Sequence, residues 1–95
     1  MECFTIHPDH PSLTGHFPGE PVIPGVVLLD HIIAIITAKS PNKTLAGLSQ
    51  IKFVAKAIIG NSLKLNWIKK NENCFSFSLH DGDTLCVKGL LAWEA

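Results

Sequence analysis

Hydrophobic positions fall into two regimes along this chain. From Val26 to Ala38 they are nearly continuous: Val26, Val27, Leu28, Leu29, Ile32, Ile33, Ala34, Ile35 and Ile36, interrupted by Asp30 and His31. A run of that length between breakers predicts a buried helix, roughly Val26 to Lys39. Pro24-Gly25 opens it, since proline is tolerated in a first turn where its missing N–H is not needed. Ser40-Pro41-Asn42 ends it. Beyond that point the period changes to two. Residues 45–58 read as a strand with an irregularity near Val54-Ala55. Leu63, Leu65 and Trp67 alternate with Lys64, Asn66 and Ile68, and Phe75, Phe77 and Leu79 alternate with Ser76, Ser78 and His80, the pattern of half-buried strands. Leu85 to Trp93 is the closing strand. Gly60-Asn61 and Asn71-Glu72-Asn73 mark turns, and Asp81-Gly82 is a strong hairpin signal. Ahead of the helix, residues 2–7 read as a short strand with Cys3, Thr5 and His7 on one face and Phe4 and Ile6 on the other. Residues 8–24 hold five of the six prolines and read as a loop.

The predicted order is strand, long loop, one apolar helix, then three or four antiparallel strands joined by tight turns. That is an α+β arrangement, one helix against one sheet. The helix is apolar almost all round and must be covered on every side. One small sheet does this only if it is strongly curved, or if a second subunit helps. Ninety-five residues are expected to form one domain, 1–95, with a core small enough to favour oligomerisation.

Charge and composition narrow the function. Eight lysines and no arginine balance eight acids, for a net charge of zero, which argues against nucleic acid as a partner. The apolar fraction of 46% suits a packed core and excludes a disordered chain. The Val26–Ala38 run is too short, and too interrupted, to span a membrane. Cys3, Cys74 and Cys86 match no disulfide framework, and residues 1–20 lack a basic region followed by an apolar one, so a reducing cytoplasm is expected.

Three residues carry chemistry. His16 lies in a proline-stiffened loop. Gly25 lies at a helix N-terminus, where its N–H is an orphan donor aimed at incoming negative charge. Asp30 lies in the most apolar segment, where it must be solvated at a cleft, paired, or protonated. An imidazole near neutral pKa takes an acidic α-proton, a helix-start N–H steadies an enolate-like oxygen, and a carboxyl in a dry site supplies a proton to a leaving hydroxyl. Cys3, His7, His10 and His16 are the only grouping suggestive of zinc, but their spacing matches no common zinc motif. No metal and no cofactor are expected.

The run His16-Phe17-Pro18-Gly19-Glu20-Pro21-Val22-Ile23-Pro24-Gly25, followed by aliphatic residues and an acid fourteen positions after the histidine, resembles the 3-hydroxyacyl-(acyl-carrier-protein) dehydratases of the hot-dog fold. Ile51-Lys52-Phe53, Ile58 to Leu63 and the Asp81-Gly82 hairpin extend the resemblance over most of residues 13–95. It implies a hot-dog fold, a central helix wrapped by a curved antiparallel sheet. It implies His16 as base, Asp30 as acid and Gly25 as the donor to the thioester oxygen, with the Val22 carbonyl holding the histidine tautomer. Phe17, Val22, Pro24 and Val26 are the substrate-binding residues expected around them. The histidine and the acid of such sites come from different subunits, so a homodimer or dimer-based oligomer is implied, with an acyl carrier protein as partner. The chain looks nearer to short Asp-type members from pathways making aryl polyenes and related pigments than to the housekeeping enzymes. It departs from the family's pattern at Ala34, where a glutamine is usual, and at Ile59 and Asn61, where a proline and an acid are usual.

Two rival functions fit the same fold. A hot-dog thioesterase uses its carboxylate to activate water, has no need of the His16 loop, and releases a free acid. A non-catalytic acyl-binding subunit is inactive until another chain completes its site. Lys39, Lys43, Lys52, Lys56, Lys69 and Lys70 are expected on solvated faces, some available to dock a carrier protein. His31 is expected at an interface or the surface.

Overall fold

A computed structural model describes residues 2–7 and 22–94. The elements are β1 (Glu2–Phe4), α1 (Gly25–Ala38), β2 (Leu45–Phe53), β3 (Leu63–Asn71), β4 (Cys74–Asp81) and β5 (Thr84–Trp93). All five strands form one antiparallel sheet in the order β1-β3-β4-β5-β2. One helix and this sheet are the α+β, hot-dog arrangement that the sequence predicted. Among the described residues no helix is long and apolar enough to cross a membrane.

Alternation decides which face of the sheet meets the helix. Leu65, Leu79, Val87 and Phe53 are register partners across β3, β4, β5 and β2, so they share one face. Leu65, Leu79 and Val87 are fully buried in one cluster with Val27, Leu28, Ile32 and Ile36 of α1. The buried helix positions 28, 32 and 36 recur every four residues and make a single stripe. Asn66, Ser78, Lys88 and Lys52 form the neighbouring row on the opposite face.

Element boundaries differ from the sequence reading at three places. The helix begins at Gly25, because Pro24 is its N-cap and the Pro24 carbonyl already accepts from Val27 N at 3.0 Å and Leu28 N at 3.3 Å. β1 ends at Phe4 instead of His7; past it the backbone bond among the described residues is Gly60 N to Ile6 O at 3.0 Å, in place of a ladder. β2 ends at Phe53 instead of residue 58. Val54 N and Ala55 N both turn to the Cys86 carbonyl, at 2.7 and 3.3 Å, and this shared acceptor takes the chain out of register. Register shifts also fall within β2 between Leu45 and Gly47 and between Ser49 and Lys52, and Gln50 has a positive φ of 55°. The loop predicted for residues 8–24 lies mostly outside the described residues.

Several polar readings resolve into contacts. His31 stacks on Phe4, ring centroids 5.3 Å apart, so it packs within the chain and joins α1 to β1. Lys39 and Glu2 pair across the same junction at 3.1 Å. Lys43 donates to the Glu72 carbonyl at 2.8 Å and Lys69 to the Glu72 carboxylate at 3.2 Å. These exposed pairs contribute little stability. The cysteines divide: Cys86 is buried, Cys74 half-buried and Cys3 exposed. Burial pushes the Cys86 thiol above its ordinary range.

Two glycines separate packing from backbone effects. A Cβ on Gly89 would overlap Ile51 Cδ1 and lie 3.1 Å from Phe77 Cζ, whereas one on Gly47 meets nothing within 4 Å. Gly89→Ala is therefore expected to cost about 1–3 kcal/mol in denaturant melts through overpacking, and Gly47→Ala to be neutral or mildly stabilising. Thiol labelling of the native protein is expected to modify Cys3 readily and Cys86 only on unfolding, read by mass spectrometry of peptides.

Candidate active site

The start of α1 is built by two segments about thirty residues apart in the chain. Residues 22–24 lead into the helix, and residues 53–57 leave β2. They are joined by a hydrogen bond from Ile23 N to Ala57 O at 3.0 Å and by the isolated bridge between Val22 and Ile58. Between them and the first turns of α1 lies a cavity of about 710 Å³. Val22, Pro24, Gly25 and Val26, all singled out in the sequence, line it. So do Ile23, Leu28, Leu29, Phe53, Ala55, Lys56 and Ala57. A largely apolar recess of this size suits a chain-like or drug-sized ligand. A smaller concavity of about 210 Å³, lined by Gln50, Lys52, Ser76 and Lys88 among others, contains none of the predicted site residues.

Besides Lys56, the polar feature of the large cavity is the end of the helix itself. Gly25 and Val26 present the first N–H groups of α1, which no intrahelical carbonyl accepts. Among the described residues no side chain caps them, and no acid lies in the first turn. The positive end of the helix dipole thus opens onto the cavity. Gly25 also permits a close approach: a Cβ there would lie 2.7 Å from Phe53 Cε1 and 3.1 Å from Cδ1 and Cζ. The Phe53 ring forms a wall of the cavity beside the helix tip.

Asp30 is exposed and does not itself line the cavity. It is four residues beyond Val26, hence one turn further along the same helix face. Of the three environments predicted for this carboxyl, the single chain realises solvation. His16 and Phe17 lie outside the described residues, as does His10. Of the grouping considered for zinc, only Cys3 and His7 are described. Phe53, Ala55 and Ala57 were not singled out as site residues. The signal for them was the break in alternation near Val54-Ala55, which read as an irregular strand and is in fact the cavity's second wall.

Comparison with known proteins gives a consistent picture. A family model described as ApeI-like, ApeI dehydratase, matches residues 2–90. The chain is 33% identical over 98 residues to the 3-hydroxyacyl-(acyl-carrier-protein) dehydratase FabZ of Haemophilus influenzae, covering 92% of this chain and 64% of that protein. Its identity to the FabZ of Rickettsia akari is 31%, covering 92% and 65%. The chain therefore spans a little under two thirds of the length of these relatives. Among solved structures, the dehydratase heterocomplex ApeI:P from Xenorhabdus doucetiae superposes with a TM-score of 0.79 at 24% identity, covering 98% of this chain and 84% of that one. An uncharacterised protein from Erwinia carotovora subsp. atroseptica superposes with a TM-score of 0.74 at 28% identity, covering 97% and 79%.

The contact between Gly25 and Phe53 is testable without a substrate. Phe53 is 55% exposed in the single chain, which leaves its ring room to yield to a Cβ, and alanine is the better helix former. Gly25→Ala is expected to stay within about 1 kcal/mol of the parent in denaturant melts, while the Phe53 ring resonances shift as the ring leaves the helix tip.

Proposed function

The chain belongs to the ApeI-like dehydratase family, and we propose that it removes water from a (3R)-3-hydroxyacyl thioester held on an acyl carrier protein. The product is the trans-2-enoyl thioester. The observation that carries this reading is the apolar cavity that ends on the uncapped tip of α1. A thioester needs both features: apolar walls for the acyl chain, and a donor for the oxygen that gains charge as the C2 proton leaves.

In the proposed mechanism His16 takes the C2 proton. The C2–H electron pair becomes the C2–C3 double bond, and the Gly25 N–H steadies the thioester oxygen while charge is on it. The C3–O bond breaks as Asp30 gives its proton to the leaving hydroxyl, which departs as water. The Val22 carbonyl holds the histidine tautomer. Phe17, Val22, Pro24 and Val26 contact the substrate. No metal and no cofactor take part. The proposed setting is the cytoplasm, with 1–95 acting as one hot-dog unit.

Proton donation requires Asp30 to be covered, and the single chain leaves it open. Val26, on the same helix face, is 66% exposed, and Phe53 and Val54 at the end of β2 are 55% and 54% exposed. β2 is also a sheet edge of nine residues, with one side of its backbone unpaired by the described chain. We read this continuous apolar surface as the contact with a second copy, each supplying the carboxyl for the other's histidine. A second reading is a mixed assembly. The ApeI:P structure is a dehydratase heterocomplex, and in such an assembly a different hot-dog chain would supply the missing half.

Purified protein incubated with 3-hydroxyacyl thioesters of several chain lengths is expected to yield the dehydrated thioester by mass spectrometry. His16→Ala and Asp30→Asn are each expected to lower turnover by about 10²–10⁴-fold with the fold retained. Free acid in place of the enoyl thioester would establish a thioesterase. Turnover that appears only when a second hot-dog chain is added would establish the mixed assembly. Unchanged turnover in both variants would remove the mechanism.

A further inference from the structure

We propose that Asp81 is a positioning residue for this site: its carboxylate, at the end of β4, fixes the segment that holds the entry of α1. The inference rests on the dehydratase reading for its kinetic consequence but not for its structural one. Asp81 Oδ2 accepts from Ile58 N at 3.0 Å, and both carboxylate oxygens accept from Asn61 Nδ2, at 3.1 and 3.2 Å. Ile58 is in turn the bridge partner of Val22, and the preceding carbonyl, that of Ala57, accepts from Ile23 N at 3.0 Å. Pro24 and Gly25 follow directly. Val22, Ile23 and Ala57 all line the large cavity. The carboxylate is thus one residue from the bond that joins the two cavity walls.

The same corner explains why a carboxylate is needed. Ile58 and Asn61 lie between β2 and β3, outside any ladder, so the Ile58 N–H has no strand partner to donate to. A charged acceptor binds such an N–H more strongly than a neutral one, and with two oxygens it grips the segment at 58 and 61 together. Among the described residues, the other fixed points of this segment are Cys86 O with Val54 and Ala55 N, Cys86 Sγ with Lys56 O, Ile6 O with Gly60 N, and the local turn bond from Asn61 N to Ile58 O. Only the turn bond touches residues 57–58, where the helix entry is attached, and it ties Ile58 to its own turn and not to the sheet. An aspartate serving only to start the Asp81-Gly82 turn would have no bearing on the cavity.

The test compares Asp81→Ala, Asp81→Asn and Asn61→Ala with the parent, using amide hydrogen exchange and steady-state kinetics on a 3-hydroxyacyl thioester. In Asp81→Ala the Ile23 and Ile58 amides are expected to exchange about tenfold faster or more relative to the Leu79 and Val87 amides of the sheet. Its kcat per folded molecule is expected to fall about tenfold or more, with KM changed less than about twofold, because geometry at the helix tip is lost rather than affinity. Asp81→Asn, which keeps one neutral acceptor for Ile58 but loses the charge, is expected to recover part of the loss, and Asn61→Ala, which removes a donor but keeps the Ile58 bond, to lose less than Asp81→Ala. A merely structural role would speed all amides together and leave kcat per folded molecule unchanged, and that result overturns the proposal. If Asp81→Ala does not fold, Asp81→Asn carries the comparison: a smaller selective shift at Ile23 is expected, and none overturns it. A parent with no turnover would sink the dehydratase reading alone, and the exchange measurement still decides the role of Asp81.

Discussion

A helix with apolar side chains on every side has to be covered on every side, and a five-stranded sheet reaches only one. The stripe Leu28, Ile32 and Ile36, with Val27, is buried against the sheet's inner face. Leu29, Ile33 and Ile35 are half-buried, and Val26 is exposed. The uncovered flank lies near the end of β2, where Phe53 and Val54 are exposed as well. Scattered exposed apolar residues are ordinary; a group on a helix tip beside a strand edge that the described chain leaves unpaired is the surface that the proposed second chain would cover. On the proposed reading one surface answers two needs, since the chain that buries Val26 and Phe53 also takes Asp30 out of water.

The cavity follows from how the helix is entered. Pro24 fixes the backbone ahead of α1 and, as the N-cap, offers no side chain that could cap the helix. Gly25 removes a Cβ where the Phe53 ring comes closest. Across from them Ala55 and Ala57 are small, and the chain leaves β2 in two bonds to a single carbonyl, that of Cys86. Small residues on one wall and an uncapped helix tip on the other leave a space that is apolar along its length and polar at one end. Among the described residues, the two walls are connected by the backbone hydrogen bond from Ile23 N to Ala57 O and by the Val22–Ile58 bridge. The geometry of the site depends on whatever fixes that connection.

Much of this was legible in the sequence because it rests on periodicity. The alternation at 63–68 and 75–80 gave β3 and β4 and their inward faces, and Asp81-Gly82 gave the hairpin, with Gly82 at a φ of 61°. Pro24-Gly25 located the helix start to within a residue. The ends of β1 and β2 were not legible, because each is set by a tertiary bond: Gly60 N to Ile6 O in one case, Val54 and Ala55 N to Cys86 O in the other. For the same reason the wall formed by Phe53, Ala55 and Ala57 was missed. No local pattern announces that two segments thirty residues apart will face each other. His31 read as an interface or surface histidine, and its stack on Phe4 was not foreseen because Phe4 is remote in sequence. Gly25, Val22, Pro24 and Val26 were found because the motif that carries them is contiguous.

The departures from the family's pattern are informative once this corner is seen in space. The resemblance puts an acid at position 61, and this chain has Asn61. With Asp81 in hydrogen-bonding range of that side chain, a second carboxylate there would set two like charges within a few ångströms of each other and push one of them toward protonation. An amide reverses the sign of the contact. Asn61 Nδ2 donates to both oxygens of Asp81, at 3.1 and 3.2 Å, and leaves Oδ2 oriented to accept from Ile58 N. In this chain the charge therefore sits on the hairpin, with the turn as donor. What such a corner needs is one negative charge and enough donors to hold it in place, and the chain meets that need with a residue that the motif alone would count as a loss.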